Sequence, residues 1–203
     1  MCYFDIMIVF IDRQHAGKPN KINDRGAGRD LDGDGRISPE EQEAIWTARL
    51  AVEIEIQLLD KNVSVMPLSD GNYAERHKRV NQYADMHPGP WVYLALHLNS
   101  GGGNYGAFFY DYRSTNGQQL ATMMAHRLRE HVGQLETAKA IESHPEGWTK
   151  NAFYTIRNVG RPVALCCEPF FMDTHQGLLS IPGIASVATA MVNGLLDWRD
   201  IHD

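Results

Sequence analysis

Short apolar runs alternate along the chain with longer segments in which apolar residues recur every three or four positions. Ile6 to Ile11 (IMIVFI), Trp91 to Leu98 (WVYLALHL), Ala107 to Tyr112 and Pro162 to Cys167 are β-branched or aromatic runs. They predict strands covered on both faces, and Val63 to Met66 alternates like a further strand. Between them lie four helical patterns. Pro39 opens the first, with Glu40, Glu41 and Glu43 at its positive end and Ala44, Ala48, Ala51, Ile54 and Leu58 on one face. Tyr73 to Asp85, Gln118 to Val132 (Leu120, Met124, Leu128 and Val132 in register) and Ile184 to Trp198 are the others. Buried strands alternating with amphipathic helices predict an α/β three-layer sandwich, a mostly parallel twisted sheet flanked by helices. In such sheets chemistry gathers at the carboxyl ends of the strands.

One stretch breaks the pattern. From Lys18 to Arg36 the composition turns to Gly, Asp, Asn and Lys, so a single domain, 1–203, is expected to carry an insertion at about 18–41. Twelve residues of it, Asp30-Leu31-Asp32-Gly33-Asp34-Gly35-Arg36-Ile37-Ser38-Pro39-Glu40-Glu41, fit an EF-hand calcium loop at every position. Asp30, Asp32 and Asp34 offer hard oxygens, Gly35 allows the sharp turn, the Arg36 carbonyl takes the seventh position, Ser38 acts directly or through water, and Glu41 closes the shell. Calcium is expected to be structural here, rigidifying the insertion and fixing the start of the next helix.

Composition excludes several function classes. The 203 residues are 43% hydrophobic and 22% charged, with mean hydropathy −0.36, the profile of a globular protein. No window approaches the roughly 18 apolar residues of a membrane span. A net charge of −6 and pI near 5.8 argue against nucleic acid as the main partner. Of three cysteines, Cys166 and Cys167 are adjacent; they predict reduced core residues rather than a disulfide framework. Met1 to Ile11 lacks a basic segment and carries Asp5, so it is expected to be a strand and not an export signal.

Groups able to hold a transition metal are expected to converge at the predicted strand ends. His15 follows the first strand, His97 and Asn99 end the second long one, Glu168 ends Val163-Ala164-Leu165-Cys166-Cys167, and Glu43 sits in the first turn of the helix after the calcium loop. Two histidines and one carboxylate leave a fourth position open on zinc, the catalytic pattern.

With these residues the chain resembles the zinc-dependent N-acetylmuramoyl-L-alanine amidases of bacterial autolysins and phage endolysins. The family's Asp-x-Gly-His-Gly-Gly element appears as Asp12-Arg13-Gln14-His15-Ala16-Gly17, and its Ser-x-His-x-Asn strand end as Ala95-Leu96-His97-Leu98-Asn99. The following Gly-aromatic strand is Gly106-Ala107-Phe108-Phe109-Tyr110, the start of the next helix is Gln118-Gln119-Leu120-Ala121, and the late Pro-apolar-Glu element is Pro162 to Phe171. Departures fall at Gln14, Ala16 and Phe170, where the family has glycine, and are expected on the pocket rim.

The resemblance implies zinc held by His15, Glu43 and His97, with Glu43 preferred to Glu40 because Ala48 and Ala51 then match the family's helix. It further implies Glu168 as general base on a metal-activated water and the amide between N-acetylmuramic acid and L-alanine as the bond cut. Asn99 is a candidate support for the site and Arg157 a candidate contact to substrate carboxylates. Trp148 is expected to pack at the rim, with stacking on a sugar as the alternative; His175 is a candidate for the cleft rim, His126 and His131 are expected at the surface, and His87 and His144 each precede a proline in a loop. The partner expected is peptidoglycan, met by a monomer. Without an export signal the chain fits an endolysin made in a host cytoplasm that reaches the wall after release. Two other functions share these features: a zinc carboxypeptidase acting on the stem peptide, and a silent calcium-stabilised wall-binding module.

Overall fold

In the computed structural model, which describes residues 7–15 and 25–202, six strands form one sheet in the order β2-β1-β3-β6-β4-β5. They are β1 (Ile8–Arg13), β2 (Ser64–Leu68), β3 (Trp91–Leu96), β4 (Ala107–Asp111), β5 (Lys139–Ser143) and β6 (Val163–Glu168). Within this sheet β4 pairs antiparallel with β6 and the other neighbouring pairs are parallel, so β4 and β5 run against the other four. Five helices flank the sheet: α1 (Glu43–Asp60), α2 (Tyr73–Met86), α3 (Thr115–His131), α4 (Lys150–Ile156) and α5 (Ile181–Asp200). The predicted α/β three-layer sandwich with its mostly parallel sheet is the architecture found.

Alternation of side chains across the strands builds two apolar layers. Val9 and Ile11 of β1, Val92, Leu94 and Leu96 of β3 and Leu165 and Cys167 of β6 pack under α1, α3 and α5. Phe10, Tyr93, Ala95 and Cys166 face the other way, towards Val80 and Ala84 of α2 and Ala152 and Ile156 of α4. Cys166 and Cys167 are buried and free, on opposite faces of one strand; Cys2 lies outside the described residues.

The structure corrects several boundaries. The first strand runs to Arg13, two residues past the expected end, which places Asp12 inside the sheet between Leu68 and Ala95. Pro39 opens a single 3-10 turn, Pro39–Glu41, rather than the long helix. Gln42 is extended (φ −108, ψ 135) and bridges to Gly28, so α1 starts at Glu43. Asn72 and Glu75 cap α2 reciprocally, the device that sets its start. Two elements had no counterpart in the sequence reading. β5 is a five-residue edge strand with exposed Lys139 and Glu142, and α4 has seven residues between turns; both are too short to show a period. Among the described residues, no helix is long and apolar enough to cross a membrane.

Candidate metal centre

Three neighbouring strands, β1, β3 and β6, run in the same direction and end together. The chain leaves β1 through α1 on one face of the sheet and reaches β3 through α2 on the other, the kind of switch point where a crevice opens in such folds. His15 lies two residues beyond β1, His97 directly follows β3, and Glu168 is the last residue of β6. The β3–β6 pairing continues past both strands: His97 N donates to Cys167 O at 2.8 Å, Asn99 N to Phe170 O at 3.0 Å and Met172 N to Asn99 O at 2.9 Å.

The fourth group arrives from across the sheet edge. Glu43 Oε1 is 3.0 Å from His15 Nε2 and 2.9 Å from His97 Nδ1, and the two ring nitrogens are 3.2 Å apart. Leu98 N donates to the same Oε1 at 3.0 Å, and Ala27 N donates to Oε2 at 2.7 Å. Of the two acids weighed for this position, Glu43 is the one in the cluster; Glu40 is exposed, and its carbonyl accepts from the Trp46 indole. Burial pushes the Glu43 carboxyl up, but hydrogen bonds and attraction from His15 and His97 outweigh it and hold the group far below the usual carboxylate range. Three ligand atoms converging within 4.8 Å, with no second carboxylate to over-charge the set, are the donors that suit a borderline ion such as zinc.

Glu168 stands beside this cluster with its pKa raised. Burial is the main cause, opposed by His97 and reinforced by Glu43. The Asn99 side-chain amide donates to Glu168 Oε2, and the Asn99 carboxamide oxygen accepts from Ser100 N at 2.8 Å. Asn99 therefore orients the acid. A cleft of 390 Å³ opens over His97 and Glu168, walled by Tyr73 of α2 and by Asn151, Ala152 and Thr155 of α4.

The chain has the fold of the N-acetylmuramoyl-L-alanine amidases. The N-acetylmuramoyl-L-alanine amidase from Clostridium difficile 630 superposes with a TM-score of 0.71 at 20% identity, over 97% of this chain and 98% of its own. The catalytic domain of CwlV, an N-acetylmuramoyl-L-alanine amidase from Bacillus (Paenibacillus) polymyxa var. colistinus, gives 0.69 at 19% identity, over 97% and 99%. The catalytic domain of the CD27L endolysin, described as targeting Clostridia difficile, gives 0.65 at 18%, over 95% and 97%. No protein-family model and no curated protein sequence matches the chain.

Other predicted residues fall elsewhere. Asp30, Asp32 and Glu41 bring ligand atoms within 4.8 Å of one another, while Asp34 lies outside that group. The Asp34 carboxylate accepts from Arg36 N at 2.8 Å, and Gly35, at φ +84, makes the turn the motif requires. Arg157 is not on the cleft: it stacks over Tyr154 at 4.2 Å and lines a separate cavity with Asp111 and Arg113. His175 is buried and does not rim the cleft; its Nδ1 accepts from Phe171 N at 3.1 Å and its Nε2 meets Asn104 Oδ1 at 2.9 Å. Trp148 is 71% exposed, edge-on to Phe109. Gln14 and Phe170 are fully buried, so they pack inside and do not shape the rim; Ala16 lies outside the described residues.

A buried polar network behind His15 went unread in the sequence. Asp12, Arg76 and Tyr93 are all fully buried. The Arg76 guanidinium pairs with Asp12 and donates to Arg13 O at 3.1 Å, while the Tyr93 hydroxyl donates to the other Asp12 oxygen and meets His77 Nε2 at 3.2 Å. It ties the end of β1 to α2 and β3, immediately before His15. The sequence signal was Asp12 itself, a carboxylate directly after the apolar run Ile6 to Ile11.

Proposed function

We propose that the protein is a zinc-dependent N-acetylmuramoyl-L-alanine amidase of the endolysin type, cutting the amide between the lactyl group of N-acetylmuramic acid and L-alanine of the stem peptide. One observation carries this reading: His15, Glu43 and His97, drawn from three distant stretches, meet beside Glu168 at the sheet's carboxyl edge, in a fold shared with amidases of known structure. His15 Nε2, Glu43 Oε1 and His97 Nδ1 would hold the ion, because these are the atoms that converge. When bound, zinc supplies Lewis acidity, polarising a carbonyl and lowering the pKa of water from about 15.7 towards 7.

The chain's own residues do the rest. Glu168 Oε2 is engaged by Asn99, leaving Oε1 to accept the water's proton. The raised pKa of Glu168 brings its proton affinity closer to that of the groups it exchanges with, which favours delivery of that proton to the departing amine. The cleft between α2 and α4, which opens over His97 and Glu168, is where the substrate would lie.

Calcium in the Asp30–Glu41 loop belongs to the same proposal. Asp30, Asp32 and Glu41 supply a hard carboxylate set, with Asp34, Ser38 and the Arg36 carbonyl completing the sequence pattern.

The test is mass spectrometry of digested peptidoglycan. New amines at L-alanine, absent with Glu168→Gln, are expected. New amines further along the peptide would instead make the protein a stem-peptide peptidase, and binding without any new amine a wall-binding module.

A further inference from the structure

Glu43 is placed differently from the other three residues of the centre. His15, His97 and Glu168 end or follow strands, whereas Glu43 starts a helix directly after the twelve-residue loop. The neck of that loop is closed by a run of backbone pairs. Gly28 bridges Gln42, Arg29 N donates to Glu41 O at 3.2 Å, Glu43 N to Ala27 O at 2.8 Å and Ala44 N to Arg25 O at 3.0 Å.

This strap runs onto the cluster. Ala27 N–H holds Glu43 Oε2 at 2.7 Å, which leaves Oε1 turned to the two imidazoles. Gly26, at φ +71, lies so close that a Cβ there would stand 2.4 Å from Glu43 Oε2 and 2.7 Å from His15 Cδ2. The strap also reaches the segment after Asn99: Arg29 Nε is 3.8 Å from Asp173, whose carboxylate accepts from Gly101 N and Gly102 N at 2.8 and 3.0 Å.

The far end of the strap is where the loop's carboxylates meet. Glu41, two residues before Glu43, is buried and takes N–H groups of Leu31, Asp32 and Ser38. Its neighbours Asp30 and Asp32 bring like charge to the same point, and among the described residues the arginine ion pairs go to other acids. Like charges this close repel unless a cation sits between them.

We propose that the loop regulates the metal centre: a calcium ion joining Asp30, Asp32 and Glu41 closes the neck, seats Ala27 N–H on Glu43 and so raises the affinity of His15, Glu43 and His97 for zinc. The inference rests on the zinc and calcium assignments proposed above and goes beyond a structural role for calcium. Coupling is reciprocal, so zinc tightens calcium by the same factor.

The experiment uses the whole chain stripped of metal. Zinc affinity is measured by competition with a chromogenic zinc chelator indifferent to calcium, at zero and millimolar calcium, and calcium binding is read separately as a shift in melting temperature. Calcium is expected to tighten zinc about tenfold, within the usual span of such couplings. Asp30→Asn should hold zinc at the calcium-free affinity whatever the calcium. Ala27→Pro, which removes the amide donor and leaves every loop carboxylate, should keep the calcium-induced melting shift and lose most of the gain in zinc affinity.

A melting shift with zinc affinity unchanged would overturn the coupling and leave both metal assignments standing. No response to calcium in either readout would overturn the coupling together with the calcium assignment. Failure to bind zinc at any calcium concentration would overturn the reading of the centre itself, and the coupling with it.

Discussion

The two clusters of potential metal ligands among the described residues are built in opposite ways. Asp30, Asp32 and Glu41 come from twelve contiguous residues at the surface, and their geometry is local: two glycines at positive φ and a chain of side-chain-to-backbone hydrogen bonds. His15, Glu43 and His97 are 28 and 54 residues apart in sequence, half-buried to buried, and converge only because β1 and β3 are neighbours in the sheet. A local site depends on its own residues; a non-local one depends on everything that sets the sheet's edge. Substitutions should separate the two.

The largest effect is expected at the chemistry itself. Glu168→Gln keeps the shape of the side chain and removes its basicity, so turnover of peptidoglycan should fall about 10³-fold, in the range of a lost general base, with zinc content and melting temperature unchanged.

Next comes the buried network that fixes the approach to His15. Arg76→Met leaves the Asp12 charge buried without its partner, and unfolding by denaturant should show a loss of about 3–5 kcal/mol. Zinc affinity should fall with it, while calcium binding by the local loop should survive in any protein that folds. Retained stability would mean that Asp12 is compensated elsewhere.

These two substitutions also mark what could be read from the chain alone. The approach of Asp30, Asp32 and Glu41 was legible because the twelve-residue pattern that predicts it lies in one window, whereas Asp34, expected with them, stands outside that group. His15, His97 and Glu168 were legible because each ends or follows an apolar run that could only be a strand. Glu43 needed the resemblance, since first-turn acids at 40, 41 and 43 share one local signature, and only the extended Gln42 decides between them. Of the Asp12–Arg76–Tyr93 network only Asp12 stood out: Arg76 lies in the first turn of a polar helix, and its burial comes with its pairing to Asp12, 64 residues away in sequence. Arg157 was misplaced because α4, only seven residues long, carries no period that sets its direction.

A smaller effect is expected at the loop. Calcium at 100 times its dissociation constant should stabilise the protein by about 2.7 kcal/mol, read as a rise in melting temperature that Asp30→Asn abolishes. Since Asp30 is exposed, the variant should match the calcium-free protein.

The smallest change is a pH shift. Asn99 donates to the carboxylate form of Glu168, which lowers that group's pKa against the burial that raises it. In Asn99→Ala the opposing contribution is gone, so the acid limb of activity should move to higher pH, with turnover about tenfold lower at neutrality, as for other lost orienting partners. A limb that stays in place, or moves down, would show that Asn99 does not act on Glu168.

The central claim is that His15, Glu43 and His97 share one transition-metal ion next to Glu168, and anomalous diffraction at the zinc edge from crystals of the zinc-loaded protein tests it most directly. The account predicts a single strong peak bounded by His15 Nε2, Glu43 Oε1 and His97 Nδ1. A peak held by other residues, or none at this cluster, would contradict it.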